Sequence, residues 1–389
     1  MALAATEHFV LGLMSGSSLD GLDLAVCRFV LTDEAEPTVT EWSVLAAETD
    51  PYPRPWQARL RSAPHLPGRE LWRLHADLGH WFGQRARAFL DRHPDPRVTL
   101  AGSHGHTIFH YPGEHFTTQI GDGAALAHRL GLPVVAELRG ADVAAGGQGA
   151  PLAPLADRYL FPEYEGFLNL GGIANLSWRG EDGLYLAGDI TGCCQVLDRL
   201  AQRAGQAYDA GGQLARSGRP LPAVAEAVAA LPFHQQAYPK SLGNDWVREQ
   251  LWPLLDDRDA HPADLLHTFV RWLARKIAYD FSVLPPAPSS HVGAAAGAGE
   301  SPNSQPVAAR VLVSGGGARN DYLLDCLRAT RADAARPLEF VTADPLIGDF
   351  KEAALVALAA LFRQRGVPNA LPSATGAPRP TVNGALFHP

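Results

Sequence analysis

The stretch Leu11-Gly-Leu-Met-Ser-Gly-Ser-Ser-Leu-Asp-Gly-Leu-Asp23 decides how the chain is read. An apolar run at residues 9–13 leads into Ser15, Gly16, Ser17 and Ser18, and a second at 22–30 leads out, which spells a strand, a tight polar turn and a returning strand. Such a turn can hold an anion. Gly16 lets the backbone approach a phosphate, serine hydroxyls and free N–H groups can donate to it, and Asp20 and Asp23 can hold a metal through water. An ordinary hairpin whose serines and aspartates satisfy their own backbone is the other reading of these residues. Partners to the turn recur along the chain and weigh against that plainer reading.

The second half begins as the first does. Gly166-Phe-Leu-Asn-Leu-Gly-Gly-Ile-Ala-Asn-Leu-Ser-Trp178 is again an apolar strand, a glycine turn (Gly171, Gly172) and a returning strand, followed by a strand over 183–189 that ends at Asp189. A carboxylate at a strand-to-helix junction points into the ligand crevice of an open α/β sheet, although a helix N-cap explains Asp189 as well. Further on, a strand at 310–314 ends in Gly315-Gly316-Gly317 before a helix. That turn is flat enough to pack a base or ribose, and it is also a common connection in many folds.

Between these modules lie polar signals of a second kind. Residues 51–93 read as helical and 99–100 as the end of a strand leading into Ser103-His104-Gly105-His106, where His104 either faces a ligand or bonds a neighbouring carbonyl. Gln119-Ile-Gly-Asp122-Gly precedes a helix whose free N–H groups could face a polar ligand. Arg139 and Asp142 stand before Gly146, Gly147 and Gly149, a donor and an acceptor on a loop that suits a sugar or carboxylate, or a plain hinge. Residues 262–283 and 351–362 are apolar-faced helices, 285–306 read as a flexible Pro/Ala/Gly/Ser-rich insertion, and the tail from 371 is expected to return to the first domain.

Composition removes several function classes. At 389 residues, 46% hydrophobic and 19% charged, the chain has room for a large core and no apolar run of bilayer length. A net charge of −8 without a basic cluster argues against nucleic acid, and against a membrane partner too. Four cysteines without metal-ligand spacing, and an opening lacking an export pattern, lead to an expected cytoplasmic location. Cys193 and Cys194 are expected to pack rather than react.

The order of these modules matches the phosphate and adenosine elements of the actin, hexokinase and Hsp70-type ATPases. More closely, the chain resembles the anhydro-N-acetylmuramic acid kinase family. The resemblance rests on residues 12–23, Ser103-His104-Gly105, Gln119-Ile-Gly-Asp122, Asp142-Val-Ala-Ala-Gly-Gly-Gln-Gly-Ala-Pro-Leu152, Asn169-Leu-Gly-Gly-Ile-Ala-Asn175, Gly315-Gly-Gly-Ala318, Lys351-Glu352-Ala353 and Thr375-Gly-Ala377. It implies a duplicated actin-like (ribonuclease H-like) α/β fold with two domains around an ATP and sugar cleft, expected at 1–133 plus 370–389 and at 134–369. It implies an enzyme of cell-wall sugar recycling that uses ATP and Mg2+ to open a small anhydro amino sugar and phosphorylate its O6.

Carried over by position, Gly16, Ser17, Ser18, Leu19, Asp20, Gly21, Leu22, Asp23, Gly171 and Gly172 would hold the phosphates, with Asp20 and Asp23 on the metal. Gly315, Gly316 and Gly317 would take the nucleoside. Ser15, His104, Asp122, Arg139, Asp142 and Glu352 would meet the sugar, and Asp189 would be the catalytic base. A homodimer is left open. Three positions depart from the family pattern: Ser17 for a usual Thr, His106 for a frequent Gln, and the turn Ile190-Thr-Gly-Cys-Cys-Gln195 after Asp189. The competing classes are another small-molecule kinase of the same superfold, such as a glycerol or acetate kinase, and a non-catalytic ATP-binding regulator.

Overall fold

In chain order the elements are β1 (Ala5–Ser15), β2 (Gly21–Thr32), β3 (Val39–Pro51), α1 (Arg54–Ser62), α2 (Gly68–Arg92), β4 (Leu100–Tyr111), β5 (Phe116–Ile120), α3 (Gly123–Leu130), β6 (Val134–Ala136), α4 (Gly140–Ala144) and α5 (Ala153–Leu160). There follow β7 (Gly166–Leu170), β8 (Ile173–Arg179), β9 (Tyr185–Gly192), α6 (Cys194–Arg203), α7 (Pro262–Val283), β10 (Ala309–Ser314), α8 (Asp321–Ala329), β11 (Leu338–Thr342), α9 (Pro345–Gln364) and β12 (Ala385–Phe387), with shorter helical turns between. This computed structural model describes residues 5–16, 19–34, 36–180, 182–284, 308–330 and 337–389. Ser17, Ser18 and the expected insertion at 285–306 lie outside the described residues.

Contacts divide the chain into two units, Met1–Phe161 with Pro345–Pro389, and Pro162–Asp344. The sheet of the second unit has the order β11-β10-β7-β8-β9, in which β7, β8 and β9 form an antiparallel meander and β10 and β11 run parallel to β7. The first unit repeats that pattern. Its sheet runs β12-β6-β4-β1-β2-β3, with β1, β2 and β3 antiparallel, β4 parallel to β1 and β6 parallel to β4; β5 and β12 are additions. The duplication read from the glycine turns is therefore present strand for strand, and the α/β fold is the one expected.

Each sheet has its own core. In the first unit Leu71, Leu74, Leu78, Phe82 and Phe89 recur three, four and seven apart along α2 and pack with Leu11, Leu13, Leu22 and Leu24. In the second, Leu265, Leu266, Phe269, Leu273, Ile277 and Phe281 of α7 pack with Leu168, Leu176 and Val311. Each such fully buried side chain contributes about 1.5–3 kcal/mol through loss of water contact.

The unit boundaries differ from those expected at 133/134 and 369/370. β6 belongs to the first sheet, and α9 packs on β1, β2 and β4. The reason lies in two strand glycines. A Cβ at Gly12 would sit 1.9 Å from the Ala353 carbonyl oxygen, and one at Gly102 would sit 2.5 Å from that of Val356, so the α9 backbone rests directly on bare β1 and β4. The tail does return to the first unit, where β12 pairs with β6.

Candidate active site

In the first unit, Ser15 closes β1 and is buried, its hydroxyl 2.7 Å from the Tyr52 hydroxyl and 2.9 Å from His106 Nδ1. Tyr52 stacks on Trp81, which fixes the arrangement from behind. Burial lowers His106 to about 4, so the ring is neutral near pH 7. The position where the family often carries Gln thus holds a neutral hydrogen-bonding group that orients Ser15. Both histidines lie within β4, which runs on through the motif instead of ending before it, because β5 pairs with its second half.

His104 supports Arg139. Arginine can only donate, so the 3.0 Å bond from Arg139 Nε makes His104 Nε2 the acceptor and leaves Nδ1–H to donate to the Gly105 carbonyl at 3.1 Å. Burial first, and the Arg139 charge second, push His104 down to about 3, which keeps it a neutral acceptor. Arg139 also donates to the Gly149 carbonyl at 2.8 Å, and burial lowers its guanidinium to about 10, still charged at neutral pH. No carboxylate lies within ion-pair distance of it among the described residues. It is a desolvated, oriented cation with donors to spare.

The sequence reading placed Asp122 and Asp142 at the sugar; in the fold both carboxylates also bond protein groups. Asp122 caps α3 through the Ala125 N–H (2.7 Å) and meets His75 at 3.4 Å. Asp142 is buried and accepts from Thr375 (2.9 Å), Thr381 (3.4 Å) and the Gly149 N–H (2.7 Å), which ties the glycine loop to the C-terminal tail.

Among the described residues of the turn after β1, Leu19 lies in the left-handed region at φ 60 with its side chain in the core. A leucine held there costs about 1 kcal/mol or more, a strain found where a turn must present its backbone in a set way. The Asp20 carbonyl accepts from the Tyr52 N–H (3.1 Å), and Asp23 accepts from Thr49 Oγ1 (2.6 Å). Burial, and then the neighbouring Asp20 and Asp349, raise the Asp23 carboxyl. Glu352, solvent-accessible but crowded two turns into α9, is raised by desolvation first and by Asp23 second.

Neither Asp20 nor Asp23 forms an ion pair among the described residues. These carboxylates gather negative charge without a protein cation beside Asp20 and Asp23, which fits a divalent cation. Among the described residues no three His, Cys, Asp or Glu side chains cluster closely enough to chelate a metal ion by themselves.

In the second unit the triple-glycine turn abuts the end of β7, which leads into the Gly171-Gly172 turn. A Cβ at Gly315 would strike Asn169 Oδ1 at 2.5 Å and the Leu170 carbonyl at 2.8 Å, and one at Gly317 would lie 2.7 Å from Leu170 Cβ. That turn is buttressed by the residues that depart from the family pattern. Cys193 N–H donates to the Gly172 carbonyl (2.8 Å), Cys194 N–H to Gly171 (3.0 Å) and Gln195 Nε2 to Gly172 (3.0 Å). Cys193 is wholly buried, its thiol held up by its bond to Cys194 and by desolvation.

Asp189 sits on β9 opposite Asn175 of β8, and the strand continues to Gly192 instead of ending at the carboxylate. Its Oδ2 accepts from the Leu242 N–H at 2.9 Å, and its own N–H donates to the Lys240 carbonyl at 2.8 Å. Oδ1 has no hydrogen-bond partner among the described residues. Burial raises the carboxyl, and the Leu242 N–H partly offsets this. The residues that sequence reasoning missed are Tyr52 and Thr49, legible only through strand register, and the segment 238–242, which shows nothing but turn residues.

The family model described as anhydro-N-acetylmuramic acid kinase matches residues 8–389. The protein of that name from Rhodospirillum rubrum is 36% identical over 395 residues, spanning 97% of this chain and 94% of its own. That from Acidiphilium cryptum is 36% identical over 389 residues, spanning 97% and 98%. Among solved structures, component A of the Acidaminococcus fermentans (R)-2-hydroxyglutaryl-CoA dehydratase aligns with a TM-score of 0.40 and 14% identity over 92% of this chain and 99% of that one. The ROK hexokinase from Thermus thermophilus aligns at 0.38 and 16% over 93% and 100%. No helix among the described residues is long and apolar enough to cross a membrane.

Proposed function

The chain belongs to the anhydro-N-acetylmuramic acid kinase family, and from that premise we propose how its residues carry out the reaction. Membership makes it an enzyme, an ATP-dependent sugar kinase. Water adds to C1 of the 1,6-anhydro sugar while Asp189 takes a proton from it. The C1–O6 bond breaks, the freed O6 attacks the γ-phosphorus of ATP, and ADP leaves with N-acetylmuramic acid 6-phosphate as the second product. The proton passes from Asp189 to solvent.

One observation carries this reading: Asp189 has one oxygen fixed by the Leu242 N–H, the other unengaged by the protein among the described residues, and a proton affinity raised by burial. Those are the attributes of a general base. Arg139, oriented by neutral His104, offers a planar donor face for the lactyl carboxylate. Ser15, backed by Tyr52 and His106, and Glu352 contact ring substituents. The backbone of residues 16–23 and of Gly171-Gly172 takes the phosphates, and Gly315 to Gly317 take the nucleoside. Asp20 and Asp23 would hold Mg2+, which when bound would neutralise charge building on the transferring phosphoryl group. The setting is recycling of cell-wall amino sugars in the cytoplasm.

The test is incubation with ATP, Mg2+ and 1,6-anhydro-N-acetylmuramic acid in 18O-water, with prompt mass spectrometry. A phosphosugar carrying one 18O at C1 is expected. No phosphosugar, or one without label at C1, would refute the reading.

A further inference from the structure

Residues 236–243 belong to no helix or strand, and most of them are exposed, yet they supply both backbone contacts of Asp189. A segment without a ladder of its own stays in place only through its side chains. Two of these turn inward. Lys240 is buried at 8% exposure, its ammonium 3.2 Å from the Phe233 carbonyl and over the rings of Phe233 and Tyr238 at 4.8 and 4.7 Å. The Tyr238 hydroxyl donates to Asp280 Oδ2 at 2.9 Å, and the other oxygen of Asp280 pairs with Lys276 at 2.5 Å, both on α7. Gly188, just before Asp189, has no room for a Cβ, which would lie 2.6 Å from the Lys240 carbonyl oxygen.

We propose that Lys240 and Tyr238 are positioning residues for the reaction: they peg the strap 238–242 against α7 and β9, so that the Leu242 N–H holds Asp189 in its working orientation and ionisation. This rests on Asp189 being the base. Lys240 acts through the backbone: its ammonium is held at the Phe233 carbonyl, while its own carbonyl accepts from the Asp189 N–H. Tyr238 is the titratable group that faces Asp189, and Lys276, Asp280 and His234 surround the pegs. His234, lowered to about 4 by burial, is neutral through the neutral pH range.

The sign follows from the bond. An N–H donated to a carboxylate favours the ionised form, so loosening the strap raises the proton affinity of Asp189 and moves the acid limb of kcat to higher pH. A charge-assisted bond of this kind corresponds to about one pH unit.

The experiment measures kcat and KM against pH, with melting temperature, for Lys240→Met, Lys240→Arg, Tyr238→Phe and Asp189→Asn. Lys240→Met is expected to lose about tenfold or more in kcat with the sugar KM little changed, and to shift its acid limb up by about one unit, while Lys240→Arg recovers part of both. Should Lys240→Met fail to fold, Tyr238→Phe, which loses one hydroxyl, carries the same test with a smaller shift. An acid limb unmoved in the folded variants overturns the strap while leaving the base in place. Near wild-type turnover of Asp189→Asn overturns the base itself, and the strap inference with it.

Discussion

Gly12→Ala tests whether α9 is seated on β1 by the absence of a side chain. The new methyl would start 1.9 Å from the Ala353 carbonyl oxygen, 2.7 Å from its carbon and 3.2 Å from the Ala357 nitrogen. Relief to ordinary contact requires the helix to back off by roughly 1.5 Å, and a gap of that size forfeits much of the dispersion between α9 and the strands. Overpacking of this kind costs about 1–3 kcal/mol and more where backbone must move, against which alanine regains up to about 1 kcal/mol of chain entropy. A net loss of about 2–3 kcal/mol lowers the melting temperature of a unit this size by roughly 5–10 °C. Because Glu352 precedes Ala353, the sugar KM should rise in the same variant. Scanning calorimetry and steady-state kinetics read both effects. The clash is with a carbonyl, so Ala353→Gly on the helix should not rescue it. A melting temperature within about 2 °C of wild type, or rescue by Ala353→Gly, would refute the packing argument.

Asp189→Asn keeps the shape of the residue and removes the base, so it should fold and bind ATP while losing about a hundredfold to ten-thousandfold in turnover by phosphosugar assay. Arg139→Lys keeps the charge but cannot reproduce both the bond to His104 and that to Gly149, and should raise the sugar KM about tenfold or more with a smaller change in kcat. His106→Gln should leave activity between pH 5 and 8 nearly unchanged, since His106 is already neutral above about 4; a kinetic limb near pH 6.5 that disappears in this variant would contradict that. His104 at about 3 and His106 at about 4 in the folded protein take up protons only on unfolding as pH falls below 6.5. Their contribution to stability is therefore intact above 6.5 and shrinks towards pH 4, a decline measurable by denaturant titration.

The opening turn was legible because glycine, serine and aspartate punctuate two apolar runs, and its copy at 166–178 because the same punctuation recurs. The structural partners of Asp122 and Asp142 differ in how far the sequence announces them. Asp122 is followed by Gly-Ala-Ala and an apolar helix, a local capping signal that competes with a ligand role at the same residue. Asp142 is filled by Thr375 and Thr381, more than two hundred residues away, and no local pattern announces such a partner. The unit boundary failed likewise: strand glycines at 12 and 102 are visible, but not that the helix laid over them is the one beginning at 345. The strap at 238–242 carries no periodicity at all, and its meaning resides in two buried side chains and one backbone N–H.

The two sheets also bear on why, in the proposed reaction, one carboxylate would take a cation and the other a proton. Ladder register puts Ser15 opposite Leu22 in the first unit and Leu170 opposite Ala174 in the second, so Asp23 and Asn175 occupy the same place on their strands. Across the next ladder, Asp23 pairs with Thr49 and Asn175 pairs with Asp189. The same rung thus carries its carboxylate on the second strand in one unit and on the third strand in the other. What differs is the company. Asp23 has Asp20 and Asp349 acting on it, which raise its carboxyl, and in the proposed reaction a divalent cation would relieve the repulsion between Asp20 and Asp23. At Asp189 burial raises the carboxyl and the Leu242 N–H partly offsets this, so in the proposed role a proton from water would find a desolvated acceptor. On that reading the neighbours of one duplicated rung separate charge neutralisation from proton transfer, and Asn175→Asp, which sets a second carboxylate opposite Asp189, is expected to abolish turnover in the phosphosugar assay while leaving the fold intact by melting temperature.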